Sequence, residues 1–470
     1  MSKKENQLMF KVIDGQAKIV PQKKVKAEQM NDAFVLPSKK TDEHRIKRKG
    51  KVASWFRLDN AATIYPSSKN DHWTFVYRVS AVFKNKIDAD ILQKSLNEIM
   101  PRFPTFDVYL KQGFFWHYFE HSESKLLIER EKDFPCSYMD LTDTKKHLIR
   151  VLYSDYRLSL EVFHAITDGR GALTFLNSLI ARYLENLGVK LSSNDGYLNY
   201  LDLPTQEEME DSFFANATNE KGNSHKECSA YNIHGNVEDE GIVNTTNGVM
   251  SVNQVKEIAK KYDCNITTFL SAVLCLAILK KRKNVRRPIK ISVPIDLRTR
   301  FSSNTLRNFS SYINIEISDE NASLEQIIAK IKEDFSKVDK KYLQKNINAN
   351  VNAQKNWFIK LMPLFIKNLF LNLSFNILGE KLQTFAFSNI GAVKSPKEFS
   401  DYIERYEVNL GRSKHNSIAV GLISFCDVMV LTISSKLAEN TTERDVFRLL
   451  ASLGVDIKVE SNRRDEYGGE

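Results

Sequence analysis

Hydrophobic and polar residues change period along this chain often enough to mark out most of its elements. Residues 73–83 carry the β-branched and aromatic run of a strand. Asp88 then caps a helix with Ile91, Leu92, Leu96, Ile99 and Met100 on one stripe, and Pro101 and Pro104 end it. Short aromatic strands follow around Val108, 114–119 and 126–128. In the next strand Leu158, Leu160, Val162 and His164 take alternate positions, so one face is apolar until its last member, an imidazole. Asp168, Gly169 and Gly171 make a turn, and Ala172, Leu173, Leu176, Leu179, Ile180, Tyr183, Leu184 and Leu187 recur at helical spacing until Gly188. The reading is strand, tight turn, helix, with a histidine held at the strand's end.

Regular periodicity disappears between 189 and 246, where Ser, Asn, Glu and Gly rise, as in a linker or crossover. It returns with Ser251 capping a helix (Val255, Ile258, Ala259, Tyr262) and a second helix, 267–279, apolar on all sides and therefore buried. That helix ends in a basic run that includes Lys281, Arg282 and Lys283. Cations there complement a helix C-terminus or contact an anionic substrate. Strands are expected over 289–298 and from 308, and a charged amphipathic helix over 323–342. Residues 357–378 are rich in Phe, Leu and Ile, with Lys355, Lys360 and Lys367 between or beside them. Packed helix is the default there and peripheral membrane contact the alternative. Strands over 405–411, 416–425 and 428–434 and a helix over 441–453 complete the pattern.

Length divides this pattern. At 470 residues the chain exceeds the ~250–300 at which one core stops growing, so two fused halves are expected. The division is a basic, partly ordered arm over 1–50, a first half over 51–188, a polar crossover over 189–246 and a second half over 247–470. Net charge is +10, but residues 1–51 hold fourteen Lys/Arg against six Asp/Glu, +8, which leaves +2 for everything after. A nucleic-acid binder carries its excess on the folded body, so no nucleic-acid partner is expected. The five cysteines lack Cys-x-x-Cys spacing. With no apolar leader in the opening residues, they read as thiols of a reducing cytoplasm, with no metal site. A serine-hydrolase elbow and a phosphate-binding Gly-x-x-x-x-Gly-Lys are both absent.

The candidate chemistry lies in His164-Ala-Ile-Thr-Asp168-Gly169 at the strand-to-helix junction. A lone inward histidine is most often a satisfied core residue. This spacing, however, resembles the signature of the superfamily of chloramphenicol acetyltransferase, wax ester synthases, alcohol acetyltransferases and peptide-synthetase condensation domains. Phe163 stands where many condensation-type members have a first histidine, and His164 keeps the place of the base. Pro294-Ile-Asp296-Leu-Arg298 followed by Asn308 resembles a second signature of the same superfamily, and Ser388-Asn389 resembles its Ser/Thr-Asn strand.

The resemblance implies an α/β (α+β) fold of two chloramphenicol acetyltransferase-like sandwich halves with mixed sheets and an active-site channel between them. It implies an acyltransferase moving an acyl group, acetyl above all, from acyl-coenzyme A as co-substrate to an alcohol or other hydroxyl acceptor. No cofactor is bound. His164 would be the general base, and Asp168, turned away from the channel, would pair with Arg298 (Arg300 as fallback). Ser388 or Asn389 would assist the oxyanion, and Lys281, Arg282 and Lys283 would meet coenzyme A phosphates. Two alternatives stay open: condensation-type transfer from a carrier-protein thioester to an amine or hydroxyl, and a non-catalytic binding module of the same fold.

Overall fold

Val76–Phe83 is buried along its whole length, which a strand can be only if both of its faces are covered. In the computed structural model, which describes residues 55–68, 75–220, 222, 228–281, 287–378 and 380–463 and five short strands between residues 7 and 53, that strand is the penultimate one of a five-stranded mixed sheet. The order is Ile128–Arg130, Ile149–Tyr153, Arg157–Phe163, Val76–Phe83, Ile403–Leu410. Tyr77, Val79 and Ala81 lie opposite Val162, Leu160 and Leu158 in register and form one core with helices Ala89–Ile99 and Gly169–Asn186. Alternation sends Arg78, Ser80, Ser159 and Glu161 to the opposite face. There Arg78 Nε donates to Glu161 at 2.9 Å and the two serine hydroxyls meet at 2.9 Å, so the buried polar groups are paired.

The second sheet has seven strands, in the order Ser310–Ile317, Ile289–Asp296, Phe385–Ala392, Ile418–Phe425, Val428–Ser435, Asn244–Ser251, Lys458–Ser461. It is also mixed, with Phe385–Ala392 parallel to both of its neighbours. The all-apolar helix is Ile266–Leu279, buried against this sheet together with Leu324–Ser336 and Thr441–Ser452.

Four sequence expectations change. The strand Ile403–Leu410 lies beyond the boundary at 247 yet pairs with Val76–Phe83, so the second half lends a strand to the first sheet. Its alternation reads the same in either sheet, which is why periodicity did not assign it. The stretch 189–246 contains helices Gln206–Met209 and Ser212–Asn216. Its polar residues are used inside the fold: Glu208 takes two hydrogen bonds, both 2.7 Å, from buried Arg102. The helix expected over 323–342 is two, Leu324–Ser336 and Lys340–Lys355, the second capped by Asp339. In the same way Trp357–Leu361 and Leu364–Leu378 are separated at Pro363, which cannot continue the first. Within the arm, Gln7–Ile13, Gln16–Pro21 and Phe34–Pro37 form a three-stranded antiparallel sheet. Among the described residues no single helix is long and apolar enough to cross a membrane.

Candidate active site

The histidine strand ends at Phe163, and His164 is the first residue past it, its backbone N–H held by the Phe75 carbonyl at 2.9 Å. The imidazole lies between two phenol rings. Tyr65 stacks on it at 4.8 Å between centroids and 21° between planes, and Tyr77 packs at 4.8 Å and 55°. Burial pushes both phenols up in pKa, so both rings stay neutral. The Tyr77 hydroxyl is spent on the Thr167 carbonyl at 3.0 Å.

One ring nitrogen has a fixed partner. His164 Nδ1 lies 3.2 Å from Asn308 Oδ1. The orientation of that amide is set from behind: Asn308 Nδ2 donates to Asp59 Oδ2 at 3.1 Å, and the Asn308 backbone N–H reaches the same oxygen at 3.3 Å. Both carboxylate oxygens of Asp59 take donors, since Oδ1 accepts from the Ala62 N–H at 2.7 Å. With the Asp59 carboxylate accepting, Asn308 turns its NH₂ toward Asp59 and its carbonyl toward His164, and an amide carbonyl only accepts. This contact places the proton on Nδ1 and leaves the Nε2 lone pair open.

The charge state follows from the surroundings. Burial is the largest influence on His164 and holds its pKa below the usual 6.5. The bond to its own carbonyl, Asp168, Asn308 and Asp59 pull it back only in part. Burial likewise lifts Asp59 above the usual carboxylate range, against the pull of Arg307, whose Nε is 3.7 Å away. A neutral imidazole with a bare Nε2, half-buried where both halves of the chain meet, can act as a base.

Asp168 does not serve the imidazole. Its Oδ1 caps helix Gly169–Asn186 through the Gly171 N–H at 3.3 Å and accepts from Arg298 Nη2 at 3.1 Å. Its Oδ2 accepts from the Phe309 N–H at 3.0 Å and meets Arg298 Nη1 at 2.9 Å. This is the two-bonded grip of a guanidinium on a carboxylate. Arg298 is itself held by Asp296 at 2.9 Å and the Thr305 carbonyl at 2.8 Å. The motif's second glycine is required by space. A Cβ on Gly171 would collide with the Thr167 hydroxyl and the Leu306 carbonyl, while one on Gly169 would sit 3.0 Å from Ile390.

No family model matches the chain, and no curated protein does. Solved structures do. The trichothecene 15-O-acetyltransferase of Fusarium sporotrichioides superposes with a TM-score of 0.54 at 12% identity, over 88% of this chain and 96% of its own. The TRI101 protein of F. graminearum, solved with ethyl coenzyme A, gives 0.54 at 12%, over 86% and 99%. The wax ester synthase/diacylglycerol acyltransferase of Marinobacter aquaeolei VT8 gives 0.51 at 11%, over 85% and 100%. This chain has the chloramphenicol acetyltransferase-like fold.

Within that fold the remaining candidates separate. Ser388 and Asn389 lie half-buried on Phe385–Ala392, the strand whose Ile390 faces Gly169. The Asn389 amide is largely committed, its Oδ1 to the Gly391 N–H and its Nδ2 to Thr267 Oγ1, each at 2.8 Å. Lys281 pairs with Asp445 of the last helix at 3.0 Å, which suits a cation completing a helix end. Arg282 and Lys283 lie outside the described residues. Arg300 is exposed and Arg298 buried, so the carboxylate of Asp168 has gone to the latter. Among the described residues no group of three His, Cys, Asp or Glu could hold a metal ion.

A cleft of about 490 Å³ also opens, but on the far face of the first sheet, lined by Arg78, Glu131, Arg157, Glu407 and Glu460 among others. Its charges neutralise one another, Arg157 with Glu407 at 3.2 Å for example, and the sheet separates it from His164.

Sequence reasoning missed Asp59, Tyr65 and Tyr77 and gave Asn308 no role. Asn308→Ala removes the acceptor that fixes the ring, so turnover should fall roughly 10–10²-fold, the scale of a misplaced catalytic group. Steady-state kinetics check this, with the loss expected in kcat rather than KM.

Proposed function

We infer that this protein is an acyltransferase in which His164 removes the proton from a hydroxyl acceptor as it attacks an acyl thioester, acyl-coenzyme A being the donor. The observation that carries the reading is the setting of the imidazole: Nδ1 beside an amide oxygen oriented by Asp59, and burial that lowers the pKa of the ring, at a half-buried junction of the two halves. An alcohol is far too weak an acid to attack unaided, and a positioned base within hydrogen-bond reach supplies typically ~10²–10⁴-fold.

The steps balance on this chain's own groups. The hydroxyl proton passes to Nε2 while its oxygen bonds to the acyl carbon. The carbon–sulfur bond then breaks, and the imidazolium returns the proton to the departing thiolate. Ester and free thiol result, and no covalent acyl-enzyme is needed. The oxyanion requires a donor in the site. Ser388, on the strand beside Gly169, is the better placed of the two candidates because the Asn389 amide is already bonded. Acetyl is the acyl group to try first.

Thiol release from acetyl-coenzyme A with a panel of alcohols tests the reading. Release stoichiometric with ester supports it. Release only from a loaded carrier protein would favour the condensation-type alternative, and none with any donor would favour a binding module.

A further inference from the structure

A group of exposed apolar side chains is concentrated as a ridge on one part of the described surface. Trp357, Leu361, Phe365 and Leu369 follow one another at intervals of four along Trp357–Leu361 and Leu364–Leu378, and Phe370 and Phe114 lie beside them. All six are between 56% and 70% exposed. Residues four apart share a helix face, so Trp357 and Leu361 pair on the first helix and Phe365 and Leu369 on the second. The hairpin tip that adds Phe114 is fixed to the same helix. The Phe114 carbonyl accepts from the Leu364 N–H at 2.8 Å, and buried Lys367 donates to the Phe115 carbonyl at 2.9 Å while sitting 3.3 Å over the Trp116 ring. A contiguous aromatic and aliphatic surface of this kind marks something that covers it.

Charge identifies what covers it. From Lys340 to residue 379 there is no Asp or Glu, while Lys340, Lys341, Lys345, Lys355, Lys360 and Lys367 give the segment +6. Lys355 and Lys360 are exposed on either side of Trp357. A second copy would set +6 against +6, and the chain's own arm is also positive, at +8 over residues 1–51. Apolar aromatics flanked by lysines, without acids, are the pattern of a segment lying in a membrane interface. We propose that this ridge is a docking surface for an anionic phospholipid bilayer.

The ridge is also tied to the histidine pocket. Ser67 Oγ donates to Asn368 of the ridge helix at 2.7 Å, and Gln354 Nε2 donates to the Asn60 carbonyl at 2.9 Å and to Thr63 at 3.0 Å. The segment so clamped, 59–68, supplies Asp59 and the Tyr65 that stacks on His164. Docking sets the bilayer one helix away from that segment. Resting on the acyl-transfer reading, this makes an apolar alcohol dissolved in the membrane the favoured class of acceptor.

Flotation of the full chain with vesicles of phosphatidylcholine, alone or mixed with phosphatidylserine, tests the docking without any need for turnover. Binding is expected to the mixed vesicles at low salt and to weaken as salt rises. Phe365→Asp/Leu369→Asp should weaken it by at least roughly tenfold. Lys355→Ala/Lys360→Ala, which leaves the apolar surface intact, should weaken it by roughly 10–30-fold, at about three- to fivefold per lysine. Both variants alter exposed positions, and an unchanged thermal midpoint verifies their fold. Failure of the parent to float, flotation undiminished in both variants, or a dimer that dissociates in Phe365→Asp/Leu369→Asp would overturn the docking. Thiol release separates the two readings. If water-soluble alcohols are acylated but a long-chain alcohol in phosphatidylserine-containing vesicles is turned over no better by the parent than by the ridge variant, membrane delivery is wrong and acyl transfer stands. If no alcohol is acylated, acyl transfer is wrong and flotation still decides the docking.

Discussion

His164→Ala should lower acyl transfer by ~10²–10⁴-fold or more and leave the protein folded. The change removes the open Nε2 lone pair, and the neighbouring phenols and Asp168 cannot replace it. Tyr65 and Tyr77 are held neutral by burial, and the Tyr77 hydroxyl is already donated to Thr167. Asp168 is enclosed by Arg298 and the Phe309 and Gly171 N–H groups. The structural cost is small because the ring is half-buried. What it leaves behind is one amide acceptor, Asn308 Oδ1, worth about 1–3 kcal/mol if no water reaches it. Thiol release read beside a thermal melt checks both halves of this statement. Transfer undiminished in a folded variant would remove His164 from the mechanism.

Asp168→Ala should behave differently, losing soluble yield and stability together with rate. Arg298 is 6% exposed, and the carboxylate takes two of its hydrogen bonds while also satisfying the Phe309 N–H and the first turn of helix Gly169–Asn186. Removing one partner of a buried pair strands the other, at a cost of about 3–5 kcal/mol. Arg298→Ala should cost a similar amount, since Asp168 then keeps only its two backbone donors. Rate falls in both because the loop between His164 and Gly169 loses its anchor to the second half of the chain, whereas Asp168→Asn, which keeps the cap, should lose less. Denaturant midpoints of the four proteins check the order. An Asp168→Ala protein as stable as its parent would show that the pair carries no structural weight.

What the sequence made legible and what it hid divide along physical lines. His164 and Asp168 stand within one strand–turn–helix unit, where alternation, glycines and helical spacing are all local signals. Arg298 was matched to Asp168 through the resemblance of the two signatures, and the pairing suits two charges that each end a buried run, since a buried charge needs a partner. Asp59 had no such signal. It lies in a segment without regular period, and its partner Asn308 is distant in the chain, so only the fold brings the pair together behind the imidazole. Tyr65 was hidden in the same way, since a tyrosine before a proline suggests a turn rather than a ring stacked on a base. The exchange of Ile403–Leu410 into the first sheet was not readable because a strand's pattern reports which of its faces are buried and not which neighbours it has.

The account depends most on the tautomer and charge of one ring. ¹⁵N NMR of histidine-labelled protein, with His164→Ala used to assign the signal, reads both directly. At neutral pH the account predicts a neutral His164 with its proton on Nδ1 and a bare Nε2. Since burial lowers the folded pKa, the proton should be taken up only as pH falls below 6.5. A ring carrying its proton on Nε2, or one already charged at pH 7, would contradict it.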